Sequence, residues 1–166
     1  MAKQILTAQN LRELVSYDAE TGKFTRIKPT QYSEVGDAFG VVTPQGYVRG
    51  CILGRTYSAH RLAWLYVYGV WPKNDLDHIN RIRHDNRLCN LREATPCENM
   101  RNMGRFANNT SGFKGVAWHK QKQKWQARCR VNGARKWLGL FDTAQQAGEA
   151  YIAFAMKHHG EFFRIE

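Results

Sequence analysis

Four side chains able to handle a metal ion or a proton stand in one short stretch, LDHINRIRHDNRLCNLREATPCENMRN at 76–102: Asp77, His78, Asn90 and Asn99. Asp and Asn offer hard oxygen donors, which suit Mg²⁺ or Mn²⁺ and leave room for water and a phosphate oxygen. An imidazole beside them can take a proton from water. The natural inference is a metal-assisted hydrolase. Neighbours on a strand point to opposite faces, which at first argues against a site shared by Asp77 and His78. In-line displacement at phosphorus removes the objection, because the base works beside the attacking water and charge is stabilised beside the leaving oxygen, across the phosphate. The competing explanation is a solvated turn, Asn and Asp being ordinary loop residues.

The elements that must position these groups are marked in the same segment. Thr95 as cap, Pro96 at the first helical position and Glu98 three residues after Thr95 predict a helix start, so Asn99 falls in its first or second turn. Upstream, LDHIN and RLCNLRE read as two short extended pieces joined by the charged turn RIRHDN. A unit this small cannot hold a core alone and must lean on what precedes it. There, Leu6, Leu11, Leu14 and Val15 at near-helical spacing after Thr7 predict a short helix, and DAETGKF at 18–24 a turn into a strand. Residues 36–60, cut by Gly and Pro, predict two or three hairpin strands. Ser58 caps a helix through HRLAWLYVY, with Gly69 and Trp71-Pro72 as its stop and His60 and Arg61 as structural residues at its start. Residues 1–57 carry no motif and are read as a brace.

Composition narrows the partner. The 166 residues carry 25 Lys plus Arg against 14 acids, a formal net charge of +11, so the surface field attracts polyanions, nucleic acid first. The strongest apolar run, LAWLYVYGV at 62–70, falls well short of the roughly 18 to 20 residues that span a bilayer. MAKQILTAQNLREL lacks the sustained apolar stretch of a secretory signal, and a cytoplasmic setting is expected. Cys51, Cys89, Cys97 and Cys129 form no Cys-x-x-Cys pair; no zinc is expected, and the thiols are read as reduced and mostly buried.

Residues 102–112, NMGRFANNTSG, are polar and aperiodic and read as the approach to a linker, placed at 105–112. Beyond it, Trp125, Ala127, Cys129 and Val131 alternate with Lys124, Gln126, Arg128 and Arg130, a half-buried strand with a cationic outer face. Asn132-Gly133 predicts a hairpin, with Arg135, Trp137 and Gly139 on the next strand. Thr143 and Gln146 form a capping box for a helix whose apolar face carries Ala147, Ala150, Tyr151, Phe154 and Ala155, with Gly160 as its stop. Three strands on one helix follow, with Trp118 and Trp125 read as core. His158 and His159 sit at the helix end, where positive charge is favourable. Such a cationic sheet can enter a DNA major groove.

Two resemblances add to this reading. Asp-His, then Asn twelve positions after the His and Asn nine further on, with NRLCNLREAT between, resembles the HNH endonucleases of ββα-metal fold, in particular the phage and intron-encoded homing type whose last signature residue is Asn. The match is close over 76–102 and looser over AHRLAWLYVYGVWP. It implies His78 as general base, Asp77 and Asn99 as ligands of one Mg²⁺ or Mn²⁺, and Asn90 as the residue that holds the loop. To His84 the resemblance assigns no role; it and Arg81, Arg83 and Arg87 are read as phosphate contacts, with solvated turn residues as the alternative. SGFKGVAWHK, KWQARCRV, KWLGLFDTAQQAGEAY and HHGEFF resemble the APETALA-type, ethylene-response-factor DNA-binding domain over 111–163. That implies Lys114, His119, Arg128, Arg130, Arg135 and Trp137 as DNA-facing residues. Ala117 stands where an arginine is usual and Arg128 where plant proteins often have an acid, so the target differs from the plant one.

The expected architecture is α+β: an N-terminal β-rich support at 1–70 leading into a ββα-metal HNH unit at 71–104, the linker, and at 113–166 a three-stranded antiparallel sheet packed on one helix. The expected function is metal-dependent, sequence-preferring cleavage of double-stranded DNA, in the host cytoplasm if the gene belongs to a phage, with no membrane partner. The alternatives are a non-cutting DNA-binding regulator and an RNA-directed protein; B-form DNA suits a major-groove sheet better than A-form RNA does.

Overall fold

The computed structural model describes residues 6–104, 108–131 and 133–163. The chain divides into two compact units, Met1–Ala94 and Thr95–Glu166.

In the first unit, the Thr7 hydroxyl accepts the Asn10 N–H at 3.2 Å and caps α1 (Ala8–Arg12), which buries Ala8 and Leu11. Val15 leaves the helical pattern and opens β1 (Val15–Asp18), paired antiparallel with β2 (Lys23–Arg26). The turn is closed by Asp18, whose carboxylate accepts the Glu20 N–H at 2.9 Å and the Thr21 hydroxyl at 2.7 Å. The expected short helix is present, but Leu14 and Val15 lie beyond it, and a two-stranded hairpin stands where one strand is expected. Strands β3 (Val41–Val42), β4 (Val48–Ile52) and β5 (Arg55–Ser58) form an antiparallel sheet in that order. Helix α2 (Ala59–Tyr68) follows and ends at Gly69, whose φ of 77° lets its N–H return to the Leu65 carbonyl at 3.0 Å.

The hairpin β6 (Asp75–His78) and β7 (Leu91–Ala94) sets Asp77 opposite Arg92 and His78 opposite Leu91. Leu91 joins Leu11, Val15, Phe24, Leu62 and Leu65 in one apolar core, so the hairpin does lean on the preceding elements. Leu88–Asn90 is a 3₁₀ turn and not extended chain, because the Asn90 N–H bonds back to the Arg87 carbonyl at 2.9 Å.

The second unit opens with α3 (Pro96–Asn102), whose capping box is complete: the Thr95 hydroxyl accepts the Glu98 N–H, and the Glu98 carboxylate accepts the Thr95 N–H at 2.8 Å. Strands β8 (Val116–His119), β9 (Lys124–Val131) and β10 (Ala134–Phe141) form an antiparallel sheet with β9 central. It packs on α4 (Ala144–His159), started by the Thr143–Gln146 box, with Val116 and Ala127 against Ala147, and Cys129 against Tyr151 and Ala155. Of the expected linker, 105–107 lie outside the described residues, as does Asn132 of the hairpin turn.

Three expectations need correction. Trp118 is 40 % exposed, since β8 is an edge strand; its ring meets that of Trp125 5.1 Å away across the pair. Cys51, Cys89 and Cys97 are exposed on a strand face, a turn and a first helical turn; Cys129 is the buried thiol. His159 is buried, its Nε2 lying 3.3 Å from the Cys129 sulfur and 3.2 Å from the Arg130 carbonyl. Burial lowers its pKa below the ordinary 6.5, so it is a neutral bridge between helix and sheet and not a helix-end cation. No helix among the described residues is long and apolar enough to cross a membrane.

Candidate active site and cationic sheet

Strand β6 delivers Asp77 and His78 side by side, each only 5 % exposed. His78 Nε2 lies 3.4 Å from Asn86 Oδ1. The orientation of that carboxamide is set on its other side, where Asn86 Nδ2 donates to the His84 carbonyl at 3.2 Å. Asn86 is almost fully buried, and its own carbonyl accepts the Tyr17 hydroxyl at 2.8 Å. With an oxygen facing Nε2, that nitrogen carries the proton and Nδ1 keeps the lone pair. Burial pulls the His78 pKa below 6.5 against the opposing pull of Asn86, so the ring is neutral at pH 7 and able to accept a proton.

An aromatic cluster encloses this imidazole. The His60 ring meets it edge-on at 5.1 Å and 79°, and Tyr47 stands 6.0 Å from His78 and 5.5 Å from His60. His60 Nδ1 is buried without a hydrogen-bond partner among the described residues. Burial first, and then the neighbouring His78, push the His60 pKa down to about 3.

Asp77 is gripped across the hairpin by Arg92, whose Nε and Nη2 both donate to Oδ2, at 3.0 and 2.9 Å. Asn90 stitches the 79–90 loop shut. Its Oδ1 accepts the Asn80 N–H at 2.9 Å, its Nδ2 donates to the Asp85 carbonyl at 2.8 Å, and its carbonyl accepts the Ile79 N–H at 2.9 Å. Two loop arginines expected at phosphates are engaged within the protein. Arg87 donates to both oxygens of Asp85, at 2.8 and 2.6 Å, and holds that carboxyl down at about 2. Arg83 donates to the Gln45 carbonyl at 2.9 Å and lies 5.1 Å over the Tyr47 ring.

Asn99 belongs to the second unit, half-buried on α3, with its N–H on the Thr95 carbonyl and its carbonyl accepting the Met103 N–H. Among the described residues, no group of three or more His, Cys, Asp or Glu side chains is placed to hold a metal ion.

On the sheet of the same unit, cross-strand register sets Arg128 beside Trp137, Arg130 beside Arg135 and His119 beside Lys124. The Arg128 guanidinium lies 5.2 Å over the Trp137 ring, and Trp137 is 52 % exposed. Like charges directly opposed on a sheet repel, so the Arg130–Arg135 pair favours an anionic partner. Lys114 is placed otherwise than expected: its ammonium donates to the carbonyls of Met100 at 3.2 Å, Arg101 at 2.8 Å and Met103 at 2.6 Å, at the C-terminal end of α3.

Residues 57–101 match the HNH endonuclease family and residues 111–161 match the AP2 domain. Protein 3.8 of Escherichia phage T7 is 32% identical over 107 residues, which cover 64% of this chain and 88% of the phage protein. The chain belongs to the HNH endonuclease family and carries an AP2 domain. Its HNH segment runs from the last residues of β5 into α3 and so crosses the boundary between the two units. Plant proteins share the second segment. The AP2-like ethylene-responsive transcription factor CRL5 of Oryza sativa is 42% identical over 57 residues, covering 33% of this chain and 9% of the plant protein. The corresponding factor AIL7 of Arabidopsis thaliana is 33% identical over 88 residues, covering 52% and 16%. The chain thus spans less than a fifth of either plant relative. No solved structure matches it.

In this HNH protein, sequence reasoning missed Asn86, Arg92, Tyr47 and His60. Arg92 follows from the hairpin register once both strand ends are known. Asn86 hides among four Asn between 74 and 90 and stands out by burial. Tyr47 and His60 reach His78 through tertiary packing that no local spacing encodes.

Proposed function

We propose that this chain is a metal-dependent, sequence-preferring endonuclease of homing type acting on double-stranded DNA. One observation carries the reading: a neutral, buried His78 aimed by a buried Asn86 and adjoining the carboxylate of Asp77. His78 Nδ1 takes the proton of a water that attacks the phosphodiester phosphorus, and the 3′-oxygen leaves. Asn90 keeps the loop that carries Asn86 closed during this transfer. Asp77 and Asn99 would hold one Mg²⁺ or Mn²⁺. A carboxylate and a carboxamide are hard oxygen donors, and so small a set fits an ion that keeps several waters. Bound there, the ion supplies positive charge to the leaving oxygen.

The AP2 sheet supplies register and sequence preference through His119, Arg128, Arg130, Arg135 and Trp137. Arg128, pre-oriented by Trp137, is the base-reading side chain. Arg128→Ala is expected to narrow the gap between the preferred duplex and a scrambled one by about 1 to 3 kcal/mol, measured by competition binding at fixed salt. An unchanged gap would remove Arg128 from the reading set.

Supercoiled plasmid incubated with Mg²⁺ or Mn²⁺ should yield nicked or linear product at preferred positions, and none in chelator. A footprint without cutting under either ion would leave a DNA-binding regulator in place of a nuclease.

A further inference from the structure

We propose that Lys114 is a positioning residue of the cleavage reaction: it fixes helix α3, and with it Asn99, to the AP2 sheet, and does not contact DNA. The proposal rests on the nuclease reading above, in which Asn99 serves the reaction.

The base of the Lys114 side chain is rigid. Gly115 follows it with φ of 73°, and the place a Cβ would take there is filled by the Tyr151 ring at 2.4 Å and the Arg128 carbonyl at 2.5 Å. Ahead of it, the Ser111 hydroxyl donates to the Phe113 and Val116 carbonyls at 2.9 and 3.0 Å, and Asn109 Nδ2 donates to the Phe113 carbonyl at 2.8 Å. The turn that leads into β8 therefore presents the lysine stem in one direction.

The far end is equally determined. The last carbonyls of a helix lack intrahelical partners and carry the negative end of its dipole. Lys114 places its ammonium on three carbonyls of the closing α3 turn, a use of all three N–H donors that suits a fixed cap. α3 is one seven-residue helix, too short to be stable by propensity alone. Thr95 and Glu98 tie its start, and Lys114 ties its end to the sheet. Asn99 sits between these ties, its carbonyl bonded to the Met103 N–H within the capped turn. A cation anchored in this way cannot also neutralise a phosphate without releasing the helix.

The test compares wild type, Lys114→Met and Lys114→Arg as full-length protein. Affinity for a preferred duplex is measured in chelator across a salt series, and kcat on the same duplex is measured with Mn²⁺. Expected for Lys114→Met are a Kd within twofold of wild type, an unchanged salt slope, and a kcat lower by on the order of 10- to 100-fold. Arginine, which keeps the N–H donors, should restore most of kcat. A Kd that rises together with a salt slope shallower by about 0.9 means that Lys114 holds a phosphate, and overturns the proposal. A wild-type kcat in Lys114→Met overturns it as well, while leaving the nuclease reading intact. Loss of affinity with an unchanged slope assigns the lysine to folding alone and also overturns it. A wild type that cuts nothing sinks both readings together.

Discussion

His78→Ala is expected to slow DNA cleavage by about 10²- to 10⁴-fold, the usual contribution of a positioned general base, with little change in duplex affinity. Affinity should survive because the cationic sheet lies in the other compact unit. His78 is also packed against Tyr47 and His60, so removing its ring leaves a cavity; His78→Gln keeps most of the volume without the imidazole and separates the two effects. Matched losses of binding and cutting in both variants would show a fold role. The pH profile carries the same information. A base whose pKa is lowered by burial stays competent below pH 6.5, and the rate should fall only as pH drops through that lowered value. An acid limb centred at an ordinary imidazole pKa would mean that the ring is exposed during turnover.

The second large effect is on stability. His60 has a pKa of about 3 in the folded protein against 6.5 for an unperturbed imidazole. As pH falls, the unfolded chain takes up this proton first, so the His60 contribution is complete above about pH 6.5 and is lost as pH falls toward 3. By pH 4 the loss should be about 3 kcal/mol, a large share of an ordinary domain's stability. Chemical unfolding at pH 7, 5.5 and 4.5, monitored on the first unit, should show this slope. His60→Phe retains a ring between Tyr47 and His78, lacks the unpartnered Nδ1, and should flatten much of the acid dependence. An identical slope in the variant would mean that the proton goes elsewhere.

The parts of this molecule written in local chemistry could be read before folding. Thr95, Pro96 and Glu98 announce α3 because a cap is a contact between residues three apart. Thr143 and Gln146 do the same for α4, and strict alternation over 124–131 announces β9. The hairpin of β6 and β7 was legible too, since each strand is short and bounded by charged turn residues. Side-chain destinations were less so. The position of Lys114 in its family pattern suggests an outward cation, but a free helix end lay within reach and its carbonyls compete with solvent for the ammonium. His159 looked like a helix-end charge, yet the strand beside it supplies a thiol and a carbonyl to bury against. Val15 followed a helical rhythm but serves the core as well from a strand, where its β-branched side chain is at ease. The Tyr47–His60–His78 cluster joins a turn, a helix and a strand far apart in sequence, so the folded chain displays it.

The arrangement of Trp118 and Trp137 has a practical side. Both indoles are partly open to water on the AP2 sheet, one over Trp125 and the other beneath Arg128. Bases stack readily on exposed aromatic rings. On the proposed reading, Trp137 is the optical probe on the cationic face: quenching of tryptophan emission in an unlabelled titration is expected to report duplex engagement there.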